Sequence, residues 1–324
     1  MQGHMDILVT GSIAYDYLMR FPGKFTDYLL PEHLENISLS FLVSEMTKHW
    51  GGVAANIAYN LALFGLRPKL FGTVGSDFGD YRNWLNQAGV DTSTIRQYDD
   101  QLTSSFFVNT DQDNNQIASF YGGAMERARE LRLVDVHDGD PDLVIISPND
   151  PQAMSSIAAE CQERGLRFIY DPSQQVPRLA GAVLRCDLQG AYAMCVNAYE
   201  AEIICRKAEL TLAELCAQVE ILIVTQGARG CRVYHQGQEM SVPAYPTDAI
   251  VDPTGGGDAF RAGFFRCLIA GLSLRLAAQV GALTATYALE SVGTQNHHFT
   301  VPAFLERYRQ QFDDEGQLDQ LLPE

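Results

Sequence analysis

A chain of 324 residues with 46% hydrophobic and 19% charged residues holds enough apolar material for one main core and a smaller appendage, and its composition is not that of a disordered chain. Its 23 Lys and Arg stand against 40 Asp and Glu, a formal net charge of -17, and the field of such a molecule repels nucleic acid and anionic lipid. A small-molecule partner is therefore expected, and any phosphate has to be held by local devices: helix N-termini, glycine-rich turns and a divalent cation.

Met1 to His4 reads as an expression scar, with Met5 as the natural start. Asp6 to Thr10 is a short apolar run that empties into Gly11, as a buried strand does before a turn. Residues 13–43 follow without helical spacing, and the Asn36-Ile37-Ser38 sequon within them reads as chance. Ala54 to Phe64 carries the spacing of a helix. A second irregular stretch, 95–121, contains the turn-rich string Asp111 to Asn115 between two strand-like runs. From there apolar runs at Leu143 to Ile146, Phe168 to Tyr170, Met194 to Val196 and Ile221 to Val224 alternate with helical patterns at Pro151 to Arg164 and Ala198 to Cys205. Ala259 to Ala270 and Leu274 to Leu289 complete the helices, and the acidic stretch after Phe312 reads as a solvated end.

Strands alternating with helices predict an α/β fold with a Rossmann-like, doubly wound, mostly parallel sheet covered on both faces. The two irregular stretches read as antiparallel, and a βα segment separates them. They are predicted to meet in space as a small β-sheet lid (13–43 and 95–121) over a main domain made of 5–12, 44–94 and 122–324. The seven cysteines form no CxxC pair, as suits reduced thiols in a cytoplasmic protein. No apolar run approaches the ~18 residues of a membrane helix.

The most informative string is Ile250 to Phe260, in which a predicted strand ends, Gly255, Gly256 and Gly257 follow, and a helical pattern begins. Consecutive glycines let the amides at a helix start converge on one point, an anion site for a transferring phosphoryl group. Asp258, just behind them, is placed to accept a hydroxyl proton. Taken alone, the string also fits a glycine-rich turn with an ordinary first-turn Asp. No Walker A sequence is present, which excludes a P-loop NTPase, and no GxGxxG follows the first strand, which excludes a Rossmann dehydrogenase.

The string Asp252-Pro253-Thr254-Gly255-Gly256-Gly257-Asp258-Ala259-Phe260 resembles the C-terminal signature of the ribokinase-like (pfkB) carbohydrate and nucleoside kinases. Gly51-Gly52-Val53-Ala54-Ala55-Asn56 resembles their N-terminal one. Gly72 to Gly79, Asn197 to Glu200 and Thr225 to Gly230 match further strings of the family in order, so the resemblance spans nearly the whole chain. It implies a Rossmann-like domain with a β-sheet lid, Asp258 as catalytic base, and the amides of Gly255, Gly256 and Gly257 as anion hole. It also implies a lid hinge at Gly51 and Gly52, with Asn56 bonding a sugar hydroxyl. Asn197 and Glu200 correspond to the pair that holds Mg²⁺ and phosphate through water, Thr225, Gly227 and Gly230 to the nucleotide turn, and Asp252 with the loop at Gly293 to a K⁺ position. ATP and Mg²⁺ are the implied cofactors.

For the acceptor, Gly11 to Asp16 puts a carboxylate after the first strand. In the family that Asp, here Asp16, accepts from two vicinal sugar hydroxyls, and Ser12 belongs with it among the substrate-binding residues. Ribose, fructose and ribonucleosides all satisfy it. The lid strings Ile37 to Val43, Phe106-Phe107, Asp113 to Ile117 and Phe120 to Met125 resemble bacterial and archaeal nucleoside kinases of the family. Phe107 and Phe120 are the aromatics expected against a base; as alternatives, they form lid core or a homodimer contact. The expectation is an ATP-dependent kinase phosphorylating the 5′-hydroxymethyl group of a ribonucleoside, the alternative a sugar kinase. His297-His298 lacks further ligands at metal spacing and reads as a solvated loop; His33, His49, His137 and His235 are isolated.

Overall fold

The computed structural model describes residues 5–28, 38–135 and 139–322. The expectations for Met1 to His4, His33, Asn36, Ile37 and His137 lie outside the described residues.

β1 (Ile7–Thr10) leads through Gly11 to β2 (Ala14–Arg20), and β3 (Glu45–Gly51) runs into the glycine pair from which α1 (Val53–Leu63) starts. β4 (Lys69–Phe71), β5 (Thr73–Gly75), α2 (Gly79–Gln87), β6 (Arg96–Tyr98), β7 (Ser104–Thr110) and β8 (Gln116–Tyr121) follow. Alternation then sets in with β9 (Leu143–Ile146), α3 (Pro151–Arg164), β10 (Phe168–Tyr170), α4 (Gly181–Leu188), β11 (Ala191–Asn197), α5 (Ala198–Ala208), α6 (Leu212–Gln218) and β12 (Val219–Thr225). A hairpin of β13 (Cys231–His235) and β14 (Gln238–Val242) precedes α7 (Gly256–Ile269), α8 (Leu274–Leu289) and α9 (Val301–Arg309).

The main sheet has the order β14-β13-β12-β11-β10-β9-β1-β4; β4 to β12 pair in parallel, and β13 and β14 are added antiparallel at one edge. β9 and β10, in the middle of the sheet, are buried at every position because both faces are covered. On β1, Ile7 and Val9 enter one core with residues of α1, α7 and α8, while Leu8 enters the other with residues of α3, α4 and α5. This is the predicted doubly wound α/β architecture. No described helix is long and apolar enough to cross a membrane.

The small sheet has the order β3-β2-β7-β8: two antiparallel pairs, β2–β3 and β7–β8, joined by a parallel β2–β7 ladder. Its strands differ from the predicted partition at two places. Glu45–Gly51, assigned above to the main domain, pairs with β2 along seven residues, from Arg20↔Glu45 to Ala14↔Gly51. Arg96–Tyr98, assigned to the lid, pairs instead with β5 in a separate two-stranded sheet. The first strand escaped notice because it is an edge strand whose residues 45–48 are exposed and mostly polar, so no apolar alternation marks it. The strand predicted before the three glycines is also absent. Ile250 and Val251 are each 59% exposed, and the amides of Val251 and Asp252 bond the carbonyl of Leu289 at the end of α8, at 2.8 and 3.2 Å.

Candidate active site

The turn before α7 is a glycine requirement at one position. Gly255 precedes the helix at φ +79, and a Cβ there would meet Cβ and Cγ2 of Thr294 at 3.0 Å. Gly256 and Gly257 are already helical. No side chain caps this end, so the amides of the three glycines stand free at the positive pole of a 14-residue helix.

Asp258, in the first turn of α7, accepts from Asn56 Nδ2 at 2.8 Å. Asn56 Oδ1 accepts in turn from Gln295 Nε2 at 2.9 Å; Gln295 Nε2 also donates to the hydroxyl of Tyr81 at 2.6 Å, and that hydroxyl donates to the Gly51 carbonyl at 2.8 Å. A continuous buried chain thus links Asp258 to the glycine pair at the root of the small sheet. Burial pushes the Asp258 carboxyl above its ordinary pKa, against the pull of the Arg261 guanidinium and the Asn56 amide. Arg261, three residues further along α7, is itself buried and grips Asp171 after β10, with Nε 2.6 Å from Oδ2 and an NH2 bond of 3.0 Å to Oδ1. A charge held this way is fixed in place beneath Asp258.

A cavity of about 500 Å³ is lined together by Ser12, Asp16, Gly52, Asn56, Phe106, Phe120, Gly255 and Asp258. Burial, and then the charges of Asp258 and Asp252, raise the Asp16 pKa from 3.8 to about 7. A Cβ on Gly51 would collide with the Asp16 carboxylate, so this glycine lets the carboxylate lie against the β3 backbone. Gly52 has φ +93 and no room for a Cβ, which would sit 2.5 Å from the Ser12 carbonyl oxygen. Ser12 Oγ accepts from the Val53 amide at 3.0 Å and so helps start α1. Asn56, expected on the sugar, lines the cavity but has both amide groups committed, to Asp258 and Gln295.

One aromatic assignment is corrected. In the ladders, Asp16 lies beside Phe106 and Phe106 opposite Phe120, so these three share a face. The period of two sends Phe107 to the other face, where it stacks on Tyr17 with centroids 4.8 Å apart and planes 8° from parallel. Phe106, not Phe107, faces the cavity. Met125, the end of the lid string from Phe120, also lines it, as do Gln174, Gln175, Arg178 and Thr294, which were missed. For Gln174 and Gln175 a signal existed: they follow the C-terminal end of a parallel strand, where ligands of open α/β sheets sit.

The residues anticipated for the nucleotide lie outside this cavity, at the ends of neighbouring strands. Asn197 and Thr225 are register partners on β11 and β12. Asn197 and Glu200 form a capping box for α5: Asn197 Oδ1 accepts from the Glu200 amide and Glu200 Oε2 from the Asn197 amide, both at 2.8 Å. The charge of buried Glu200 is nevertheless felt at Asp258 and Asp171. Gly227 and Gly230 shape the turn after β12 at φ +59 and +90, closed by the Gly230 amide on the Gly227 carbonyl at 2.9 Å. Asp252 and Gly293 do meet, but through each other: Asp252 Oδ2 accepts from the Gly293 amide and Oδ1 from the Thr254 amide, each at 2.9 Å. Burial raises the Asp252 pKa, and these bonds outweigh it to leave the group lower than usual. His297, expected in a solvated loop, is buried; its Nε2 lies 2.7 Å from Asn60 Oδ1, and burial, with the His298 charge, lowers its pKa to about 4.

A family model for pfkB family carbohydrate kinases matches residues 14–300. The chain belongs to the pfkB family. A nucleoside kinase of Methanocaldococcus jannaschii is 28% identical over 313 residues, 95% of this chain and 98% of that one. The structure of Burkholderia thailandensis nucleoside kinase in complex with inosine has a TM-score of 0.85 at 33% identity, covering 94% of this chain and 98% of that one. Its complex with ADP-inosine gives 0.83 at 34%, covering 94% and 96%. This pfkB chain is therefore a phosphotransferase with an alcohol acceptor, built on the ribokinase-like fold. The uncapped helix start at Gly255, the raised carboxylate of Asp258 behind it and the carboxylate of Asp16 line one cavity.

Proposed function

We propose that this kinase transfers the γ-phosphoryl group of ATP to the 5′-hydroxyl of a ribonucleoside. The observation that carries the reading is a single cavity in which Asp16, the aromatic faces of Phe106 and Phe120, and Asp258 beside the Gly255 turn all meet. An ionised Asp16 accepts from the vicinal 2′- and 3′-hydroxyls, the rings cover the base, and the 5′-hydroxyl points at Asp258. Asp258 takes the hydroxyl proton as the oxygen attacks the γ-phosphorus, the bond to the β-phosphate oxygen breaks, and ADP leaves. The amides of Gly255, Gly256 and Gly257 hold the charge on the transferring group. Mg²⁺ would supply charge neutralisation on the phosphates, and Glu200, whose Oε2 accepts from the Asn197 amide, would be the carboxylate to meet it through water. Thr225, Gly227 and Gly230 form the turn that receives the nucleotide, and the sheet β3-β2-β7-β8 closes as a lid about Gly51 and Gly52.

The nucleoside kinases of Burkholderia thailandensis and Methanocaldococcus jannaschii, similar over nearly the full chain, support the acceptor class. A coupled ADP-release assay over a panel of ribonucleosides, ribose and fructose tests it. A ribonucleoside is expected to saturate the enzyme at lower concentration than any free sugar; the reverse order overturns the reading.

A further inference from the structure

The polar chain that ends on Asp258 has a direction, and the direction is set at its far end. Trp84 on α2 donates its indole N–H to Gln295 Oε1 at 3.1 Å. An indole has a donor and no acceptor, so it fixes which end of the Gln295 amide is the oxygen. Gln295 is 1% exposed, and its Nε2 then faces two acceptors, Asn56 Oδ1 at 2.9 Å and the Tyr81 hydroxyl at 2.6 Å. Tyr81 fits the same sense: its own proton goes to the Gly51 carbonyl at 2.8 Å, which leaves its oxygen to accept. With Asn56 Oδ1 taken, its Nδ2 is turned to Asp258 Oδ2 at 2.8 Å. Turning the Gln295 amide over would set donor on donor at Trp84, and turning Asn56 with it would set acceptor on acceptor at the carboxylate.

We propose that Trp84 and Gln295 are positioning residues of the phosphoryl transfer: acting through Asn56, they keep an N–H on Asp258 and so keep the base ionised. The inference rests on the reading of Asp258 as the base. The carboxylate needs such help because burial disfavours its charge and Glu200 of α5 repels it, while Asp171 after β10 and Asp16 on β2 are further like charges that feel it. Against these stand the Arg261 guanidinium on α7 and the Asn56 amide. Arg261 is committed to Asp171, which leaves the amide as a direct hydrogen-bond donor to Asp258.

The test is the pH dependence of kcat, by ADP release from about pH 5 to about pH 9 at saturating nucleoside and ATP, where the profile reports groups of the bound complex. Wild type, Trp84→Phe, Gln295→Met and Asp258→Asn are compared, with melting temperatures alongside. Trp84→Phe removes the donor and keeps an aromatic ring against Tyr59. Its acid limb should move up by about one pH unit, the worth of a hydrogen bond to a charged group, with kcat approaching wild type near about pH 9. Gln295→Met should move the limb the same way. A packing role alone lowers melting temperature, or lowers kcat equally at every pH, and does not displace the limb. An unmoved limb in Trp84→Phe overturns the proposal, even where Gln295→Met fails to fold. Asp258→Asn with kcat near wild type is a different result: it removes the base reading beneath, and the positioning role with it.

Discussion

Asp16→Asn separates what the acceptor site needs from what the fold tolerates. The Asp16 carboxyl has a folded-state pKa of about 7 against 3.8 for the free side chain, with burial as the main cause and the charges of Asp258 and Asp252 behind it. Between those two values the unfolded chain carries the negative charge and the folded protein carries the proton. The folded state therefore binds more protons, and this group's contribution to stability falls as pH rises from about 4 to about 7, then levels off. Each unit is worth about 1.4 kcal/mol, so the carboxylate costs roughly 2–3 kcal/mol more stability at about pH 8 than at about pH 5. Asparagine keeps the shape and never ionises. The melting temperature of Asp16→Asn relative to wild type should thus rise by several degrees between those two pH values, since about 1 kcal/mol is worth roughly 2–4 °C in a protein approaching this size. Differential scanning fluorimetry on both proteins across the range measures it. In kinetics the same variant should raise KM for the nucleoside steeply and leave KM for ATP nearly unchanged, and wild-type KM for the nucleoside should fall as pH rises through 7. A melting difference that stays constant from pH 5 to pH 8 would refute the claim that the Asp16 carboxylate is held buried in this cavity at a cost.

The glycine turn makes a sharper distinction than the string of three glycines suggests. Gly255→Ala places a side chain at φ +79, ~1–2 kcal/mol of backbone strain, and presses on Thr294, whose hydroxyl donates to the Trp50 carbonyl at 2.6 Å. Both melting temperature and kcat should fall. Gly256→Ala meets only the side-chain end of Leu289, Cδ2 at 2.9 Å and Cγ at 3.4 Å, and gains roughly 0.5–1 kcal/mol of helix propensity, so calorimetry should find it as stable as wild type or more so. Phe106→Ala should raise the nucleoside KM by about 10-fold through lost base stacking, while Phe107→Ala, whose ring lies on Tyr17, should lower melting temperature with KM within about 2-fold. Equal effects on KM would reject the register drawn here.

How much of this was legible depended on whether burial left a mark on the residues. The strands at Leu143–Ile146 and Phe168–Tyr170 were predicted with their observed bounds, because strands covered on both faces have no polar position to blur the run. Glu45–Gly51 was not, because an exposed edge strand owes its place to backbone pairing alone. Ile250 and Val251 misled in the opposite sense, an apolar pair left in solvent. In the site, the glycines and Asp258 were readable as a local string. The choice between Phe106 and Phe107 was not, since two adjacent aromatics differ only in which face of the strand they take, and that is set by pairing with β2 and β8. The bond of Asn56 to Asp258 joins residues 202 apart and has no local signature.

The central claim is that Asp258 accepts the proton from the attacking hydroxyl while the helix start holds the phosphoryl charge. Asp258→Asn preserves the shape and the contact with Asn56 but cannot take the proton. Its kcat for nucleoside phosphorylation, measured by coupled ADP release beside a nucleoside dissociation constant from calorimetry, should fall by ~10²–10⁴ with binding little changed. A kcat within a few-fold of wild type would contradict the account.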